Sequence, residues 1–351
     1  MTQGVKFIFV VGIGGSDLAS KAVWNAMTLH KTEAKKKLFF LESPDSREYA
    51  EIEDFVKNQI AGVKEIQLIA VSKSGKTTET LETFHKTFDI LSEKFGAPIN
   101  ERVLVISTPD SPLWKLAENK NFEKIEWPAR LDGMSGGEDG VSGRFSAFTA
   151  AHTKVLEVAG LDAKEFVAGG KEMEEKCKEG IENNPAANLA NKIFESYKNG
   201  ANILDFFIFN SELEDLGKWC RQLIAESLGK ENEKGERVGV TPTVSLGPVD
   251  LHSMLQLDLG GPKNKFTLFL MSLKEIYQSI NETAYRDTIK AYLEAGLPFE
   301  KYEMTEIIEK EIGKFMSLMM HTTLELARLL EVNPYDQPEV EKYKENITHP
   351  Q

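Results

Sequence analysis

Five of the nine residues from Ser72 to Thr80 carry a hydroxyl group, in the run Ser-Lys-Ser-Gly-Lys-Thr-Thr-Glu-Thr. The run follows an apolar segment typical of a strand and opens a segment with helical periodicity. Hydroxyl groups and backbone amides converge at such a helix N-terminus, where the helix dipole favours an anion. This density of donors predicts a site for a phosphate monoester.

Two other interpretations of this run remain open. Gly75-Lys76-Thr77 matches the end of the Walker pattern of ATPases, but Ala70 stands where the first glycine of that pattern belongs. The run could also be a helix cap, with Ser74 or Thr77 as the N-cap residue. The number of hydroxyl groups favours phosphate binding over capping alone, and a sugar phosphate over a nucleotide.

A second loop is rich in glycine, with Gly-Ile-Gly-Gly-Ser-Asp over residues 12–17. Glycines let backbone amides approach a ligand closely. A dinucleotide site is one alternative, because Glu42 ends the second predicted strand where a ribose-binding acid would lie. Asp17 then occupies the position of the third glycine, where a carboxylate suits a pyrophosphate poorly. A tight strand-to-helix turn is the other alternative, and the loop's place at the carboxyl edge of a sheet favours ligand contact.

Three polar sites follow in the sequence. Arg144 lies among small residues in the segment 139–146, and its permanent charge would suit an anionic enediolate intermediate; a surface salt bridge is the alternative. Gln222 and Glu226 are four residues apart and therefore share a helix face. On this face Glu226 could act as a base that transfers a proton. The alternative is that Glu226 is an exposed glutamate near Lys230. His252 follows Asp250 and could shuttle a proton to a ring oxygen, or could be structural.

The elements that must position these residues alternate between strands and helices. Strands are predicted at Lys6–Val11, Lys37–Leu41, Ile66–Val71, Arg102–Ile106, Lys124–Trp127, Asn202–Phe209, Val238–Val244, Lys265–Met271 and Tyr302–Ile307. Apolar runs without alternation indicate strands that are buried on both faces. The fold class is therefore α/β, with two doubly wound domains whose mainly parallel sheets are flanked by helices. We expect domains at 1–165 and 185–331, a linker at 166–184 and a C-terminal segment at 332–351.

Composition narrows the possible functions. The chain has 351 residues and a formal net charge of -13, which disfavours nucleic acid as a partner. No stretch reaches the ~18 apolar residues that a membrane span requires, so we expect no membrane association. Cys177 and Cys220 are not spaced as metal ligands or as a redox pair, which favours two reduced thiols. Reduced thiols and the lack of a leader pattern predict a cytoplasmic location.

Taken together, these sites resemble the phosphoglucose isomerase family. The resemblance lies in an ordered set of motifs that spans nearly the whole chain: Gly12-Ile13-Gly14-Gly15-Ser16, Ser72-Lys73-Ser74-Gly75, Ser142-Gly143-Arg144-Phe145-Ser146, Ala225-Glu226-Ser227-Leu228-Gly229-Lys230, Asp250-Leu251-His252-Ser253 and residues 333–344. The resemblance implies two SIS-type, flavodoxin-like domains. The chain starts close to its first strand and would be a short form that lacks most of the usual N-terminal segment. Lys76 departs from the family, which usually has threonine there.

The resemblance also implies a reaction, the interconversion of glucose 6-phosphate and fructose 6-phosphate through a cis-enediolate. Glu226 is similar to the base that moves a proton between C1 and C2, His252 and Lys344 to the pair that opens the sugar ring, and Arg144 to the group that stabilises the enediolate. Substrate and phosphate contacts are implied for Gly14, Ser16, Ser72, Lys73, Ser74, Thr77, Gln222 and Gln337. No metal or organic cofactor is expected.

Two further expectations concern partners and specificity. The family is usually dimeric, which implies a homodimer in which His252 serves the neighbouring subunit's site. A sugar-phosphate-binding SIS regulator without catalysis, and an isomerase that also accepts mannose 6-phosphate, remain as alternatives.

Overall fold

The computed structural model describes residues 4–30, 36–127, 141–180 and 182–342. The chain divides into two compact units, Met1–Lys164 and Glu165–Gln351. Among the described residues, no helix is both long enough and apolar enough to span a bilayer.

The first unit is built on a five-stranded sheet in which every strand is parallel to its neighbours. Its strands are β1 (Phe7–Val11), β2 (Lys37–Leu41), β3 (Ile66–Ser72), β4 (Val103–Ser107) and β5 (Glu123–Glu126), in the order β2-β1-β3-β4-β5. This is the flavodoxin-like order, in which the direction of winding reverses between β1 and β3. Loops that leave the carboxyl ends of β1 and β3 therefore border a crevice where ligands bind in such folds.

Helices cover both faces of this sheet, as the continuous apolar strands predicted. They are α1 (Leu18–Thr28), α2 (Ser46–Gln59), α3 (Thr78–Phe95), α4 (Pro112–Lys120) and α5 (Ala150–Ala159). Alternate residues of β3 enter different cores: Leu68 and Ala70 pack in one hydrophobic cluster, and Ile69 and Val71 in the other. The predicted strands of this unit match the observed ones to within one residue at each end.

The second unit contains a four-stranded parallel sheet and a short antiparallel hairpin. The sheet order is β11-β10-β6-β9, from β6 (Ile203–Ile208), β9 (Thr241–Leu246), β10 (Lys265–Ser272) and β11 (Phe299–Met304); the hairpin is β7 (Lys230–Glu231) and β8 (Arg237–Val238). The single strand predicted over Val238–Val244 is broken at Gly239, which has a φ of +127°. A Cβ there would lie 2.9 Å from the Leu228 carbonyl oxygen.

Helices again surround the sheet. They are α6 (Ala163–Cys177), α7 (Pro185–Lys198), α8 (Glu214–Leu228), α9 (Leu255–Gly260), α10 (Leu273–Ile276), α11 (Ile280–Ala295) and α12 (Glu309–Leu330). The segment 166–184, predicted as a linker, thus contains most of a fifteen-residue helix. A Cβ on Gly169 would lie 1.9 Å from the Lys310 carbonyl oxygen, and one on Gly313 would lie 2.1 Å from that of Phe166. Glycine lowers helix propensity and so weakens the prediction of a helix, but Gly169 and Gly313 permit α6 to pack closely against α12.

Candidate active site

The glycine loop, residues 12–17, leaves the carboxyl end of β1 and enters α1. Gly14 has a φ of +60°, a conformation that other residues adopt at a cost. A Cβ on Gly15 would lie 2.4 Å from the Gly143 carbonyl carbon and 2.6 Å from the Arg144 amide nitrogen. The small residues of this loop therefore allow its backbone to rest directly against the turn that carries Arg144.

The phosphate loop, residues 72–77, leaves the carboxyl end of β3, the strand next to β1. The Ser72 hydroxyl is buried and accepts a 3.1 Å hydrogen bond from the Gly75 amide, while Ser74 is exposed and its hydroxyl accepts one from the Lys76 amide at 3.2 Å. The Lys73 carbonyl oxygen accepts a 2.6 Å hydrogen bond from the Thr108 hydroxyl. The loop therefore has a defined backbone shape.

Two serines at the end of β4 and just beyond it hold the other side of this loop. Ser107 donates its hydroxyl to the Ser72 carbonyl at 2.7 Å and lies 2.9 Å from the Ser111 hydroxyl. Gly75 has a φ of +57°, and a Cβ there would lie 2.3 Å from the Ser111 hydroxyl. Neither Ser107 nor Ser111 was among the predicted site residues, although their place at the end of an apolar run was a usable signal.

Thr77 is the N-cap residue of α3, yet its hydroxyl makes no capping hydrogen bond. A helix of 18 residues places the positive end of its dipole at this position. Ser74, Lys76 and Thr78 are exposed beside it. The arrangement leaves hydroxyl and amide donors at the helix N-terminus, as a phosphate site requires.

Arg144 lies in the arginine turn, a 3-10 turn over Gly143–Phe145. Only 1% of its surface is exposed, so the alternative of a surface salt bridge does not hold. Because a guanidinium stays protonated even when buried, the turn carries a fixed positive charge next to the glycine loop. The residues 139–140, which completed the predicted bend, lie outside the described residues.

His152, which no sequence motif indicated, joins the glycine loop to the arginine turn. Its Nε2 lies 3.1 Å from the Gly15 carbonyl oxygen and 3.0 Å from the Ser146 hydroxyl, and its Nδ1 accepts from the Ser20 amide at 3.2 Å. The Ser146 hydroxyl in turn donates to the Gly143 carbonyl at 2.6 Å. These partners require the neutral tautomer with its proton on Nε2, and complete burial lowers the pKa of His152 to about 4.

The two acids that suggested a dinucleotide site have other surroundings. Asp17 is fully buried, and burial together with the charge of Glu42 raises the pKa of its carboxyl well above the usual range. Glu42 forms an ion pair with Lys21 of α1. Asp17 is therefore part of the core of the unit and does not present a carboxylate to a ligand.

In the second unit, α8 presents Gln222 and Glu226 on one face, as their spacing predicts. The Gln222 amide donates to the Glu226 carboxylate at 2.9 Å. Both side chains are partly buried, whereas Leu223, Ile224 and Ser227 are buried in the core. The bond restricts the orientation of the carboxylate, which is what a proton-transfer base needs.

His252 ends a 3-10 turn, Val249–His252, and its side chain is exposed. The neighbouring carboxylate of Asp250 accepts from the Leu246 amide at 2.7 Å and from the Ser253 hydroxyl at 2.7 Å. Asp250 thus stabilises the turn that presents the imidazole. The turn ends at His252, and α9 begins at Leu255.

The C-terminal segment contributes Gln337, whose amide donates to Glu341 at 3.1 Å. Lys230, two residues after the end of α8, donates to Asn333 and Asp336 of the same segment. Lys344, the other residue predicted here, lies outside the described residues.

The flavodoxin-like sheet and the hydroxyl-lined N-terminus of α3 define an α/β protein suited to binding a phosphorylated ligand. The family model of phosphoglucose isomerase matches residues 1–250. The chain therefore belongs to the phosphoglucose isomerase family, and the resemblance inferred from its motifs is confirmed.

Individual relatives agree with this assignment. The glucose-6-phosphate isomerase of Methanocaldococcus jannaschii is 30% identical over 365 residues, covering 97% of this chain and 83% of that protein. The glucose-6-phosphate isomerase of Fusobacterium nucleatum is 27% identical, covering 97% and 78%.

Solved structures show the same fold. A hypothetical protein from Thermus thermophilus superposes with a TM-score of 0.87 at 25% identity, covering 98% of this chain and 83% of that one. A glucose-6-phosphate isomerase from Chlamydia trachomatis gives a TM-score of 0.81 at 17% identity, covering 98% and 69%. The predicted two-domain α/β fold with mainly parallel sheets is thereby confirmed.

Proposed function

We propose that Glu226 is the base of an aldose–ketose isomerisation. The chain is a phosphosugar isomerase that interconverts glucose 6-phosphate and fructose 6-phosphate, as its family membership and its curated relatives support. The observation that carries the role of Glu226 is its 2.9 Å bond with Gln222, which holds a partly buried carboxylate in one orientation on α8. In the open-chain aldose this carboxylate removes the proton from C2 and returns it to C1.

The phosphate loop supports the second part of the proposal, recognition of the 6-phosphate. The Ser74 side chain is exposed, and Thr77 stands at the positive end of α3 without a capping bond for its hydroxyl. The loop is held in shape by the buried bond from the Gly75 amide to the Ser72 hydroxyl and by the bond from the Thr108 hydroxyl to the Lys73 carbonyl. An anion placed at this helix terminus gains both hydrogen bonds and a favourable dipole.

Arg144 is assigned to the enediolate intermediate. Proton removal at C2 places negative charge on the oxygens of C1 and C2, and a cation that cannot lose its proton stabilises this charge throughout the reaction. The burial of the guanidinium supports the role, because electrostatic stabilisation is stronger where water is excluded. Gly14 and Ser16 are assigned to substrate contacts on the adjacent glycine loop.

Ring opening is assigned to His252 and Lys344, and His252 is proposed to act in the site of a partner subunit. The exposed imidazole sits on a turn fixed by Asp250, with Val249 beside it 69% exposed. The exposed imidazole and the exposed Val249 on the same turn support the proposal that a second copy of the chain covers this turn. We also place the chain in the cytoplasm, since both cysteines are buried free thiols.

The assay for the base compares Glu226→Gln with Glu214→Gln, the same change on the first turn of the same helix. We expect kcat for fructose 6-phosphate to fall about 10²- to 10⁴-fold in the first variant and to stay within twofold in the second. Substrate binding, measured by calorimetry, stays near the wild-type value in both. Turnover of Glu226→Gln within tenfold of the wild type would remove Glu226 from this role, and an inactive wild type would refute the function.

The same assay tests the shared site. Glu226→Gln and His252→Gln are each expected to be inactive, and subunit exchange between them yields hybrids with one intact site. For a dimer with a histidine from the partner, a one-to-one mixture recovers about a quarter of the wild-type activity. If the mixture stays inactive after verified exchange, His252 serves its own chain.

A further inference from the structure

The side chain of Lys230 connects two parts of the second unit that are about a hundred residues apart in sequence. It follows Gly229, the residue that caps α8, and lies four residues after Glu226. Its Nζ is 2.6 Å from the Asn333 carbonyl oxygen, 2.8 Å from the Asp336 carbonyl oxygen and 2.6 Å from Asp336 Oδ1. Although it belongs to an exposed hairpin, its side chain is only 7% exposed.

The three acceptors match the three N–H groups of an ammonium. A lysine that is removed from water needs such partners, because an uncompensated buried charge costs several kcal/mol. Two of the three acceptors are backbone carbonyls, so the bonds specify the path of the main chain and not only one side chain. Loss of the ammonium would leave this path without its charged anchor.

The segment that Lys230 holds is irregular at this point. α12 ends at Leu330, and Glu331 turns the chain sharply with a φ of +58°. The hairpin contacts this turn too, since Lys234 pairs with Glu331 at 2.7 Å and the Glu233 amide donates to the Glu331 carbonyl. Beyond Glu331, the bonds from Lys230 fix Asn333 and Asp336, the residue directly before Gln337.

We propose that Lys230 is a positioning residue for the reaction, which holds the C-terminal segment against the end of the helix that carries Glu226. In this role it sets the backbone position of Gln337. It does not touch the substrate. The inference rests on the proposed function, because Gln337 is a substrate contact only within that function.

The experiment compares Lys230→Met with Lys234→Met. Methionine keeps much of the length of the side chain and removes its donors, and Lys234 is a matched control on the same hairpin that pairs with the same segment from an exposed position. We expect kcat for fructose 6-phosphate to fall about 10- to 100-fold in Lys230→Met, the loss caused by a displacement of about 1 Å in a catalytic group. Lys234→Met stays within twofold.

Limited proteolysis provides the readout that a general loss of stability would not reproduce. In Lys230→Met, cleavage within 331–342 accelerates at least fivefold while the remaining chain is cut at the wild-type rate. Asp336→Ala, which removes one acceptor on an exposed segment, lowers kcat in the same direction and covers the case in which Lys230→Met does not fold. Lys230→Arg, which retains donors, recovers part of the activity.

The outcomes separate the two hypotheses. A wild-type enzyme without turnover refutes the proposed function. An active wild type with Lys230→Met within threefold of it, or with reduced kcat but unchanged cleavage of 331–342, refutes the positioning role of Lys230 and leaves the function intact.

Discussion

Replacement of His152 by glutamine should change how the stability of the first unit depends on pH. Glutamine offers one donor and one acceptor to the Gly15 carbonyl and the Ser20 amide, but it does not titrate. The imidazole is completely buried, and its pKa is lowered from 6.5 to about 4. Protonation would also place a second N–H against the Ser20 amide, which is itself a donor.

The direction in which pH changes the free energy of unfolding follows from proton binding. Between pH 6.5 and pH 4 the unfolded chain binds a proton at His152 and the native chain does not, so acid favours unfolding. The free energy of unfolding of the wild type should fall relative to His152→Gln by about 1.4 kcal/mol at pH 5.5 and about 2.6 kcal/mol at pH 4.5. Above pH 7 this contribution is fully restored, and the wild type should be the more stable protein because its hydrogen bonds are native.

Urea unfolding at pH 7.5, 5.5 and 4.5 provides the measurement. Both proteins carry Trp219→Phe, so that the remaining tryptophans, Trp24, Trp114 and Trp127, all report on the first unit. Carboxylates that titrate in this range do so in both proteins and cancel in the difference. A stability difference that stays constant to within about 0.5 kcal/mol from pH 7.5 to 4.5 would refute the assignment of His152 as a neutral buried imidazole.

Two further predictions concern the same unit. Thr77→Val should leave the unfolding midpoint nearly unchanged, because the Thr77 hydroxyl makes no capping bond. It should raise KM for fructose 6-phosphate about tenfold, which corresponds to the loss of one hydrogen bond to a charged group. An unchanged KM in steady-state kinetics would exclude the hydroxyl from phosphate binding. Asp17→Asn should gain stability relative to the wild type as pH rises from 4 to 8, because burial raises the pKa of this carboxyl and its ionisation opposes folding. Thermal unfolding across that range checks this prediction, and a difference that shrinks with pH would contradict it.

Local sequence patterns determined most of the elements. The apolar runs of β1, β3 and β4 are continuous because both sheet faces are covered, and their ends could be predicted to within a residue. The glycine and phosphate loops were located because each follows such a run. The four-residue spacing of Gln222 and Glu226 likewise predicted a shared face, and their side chains are in hydrogen-bond contact.

Tertiary structure decided which distant groups meet. His152 lies 137 residues from Gly15, and Lys230 lies 106 residues from Asp336, so no local pattern could assign either side chain its partners. The helix α6 was missed for the same reason, since its glycines are favourable only against the backbone of α12. Periodicity reports which face of an element is buried, whereas the partners of a buried polar group or a packed glycine depend on the packing of elements that are remote in sequence.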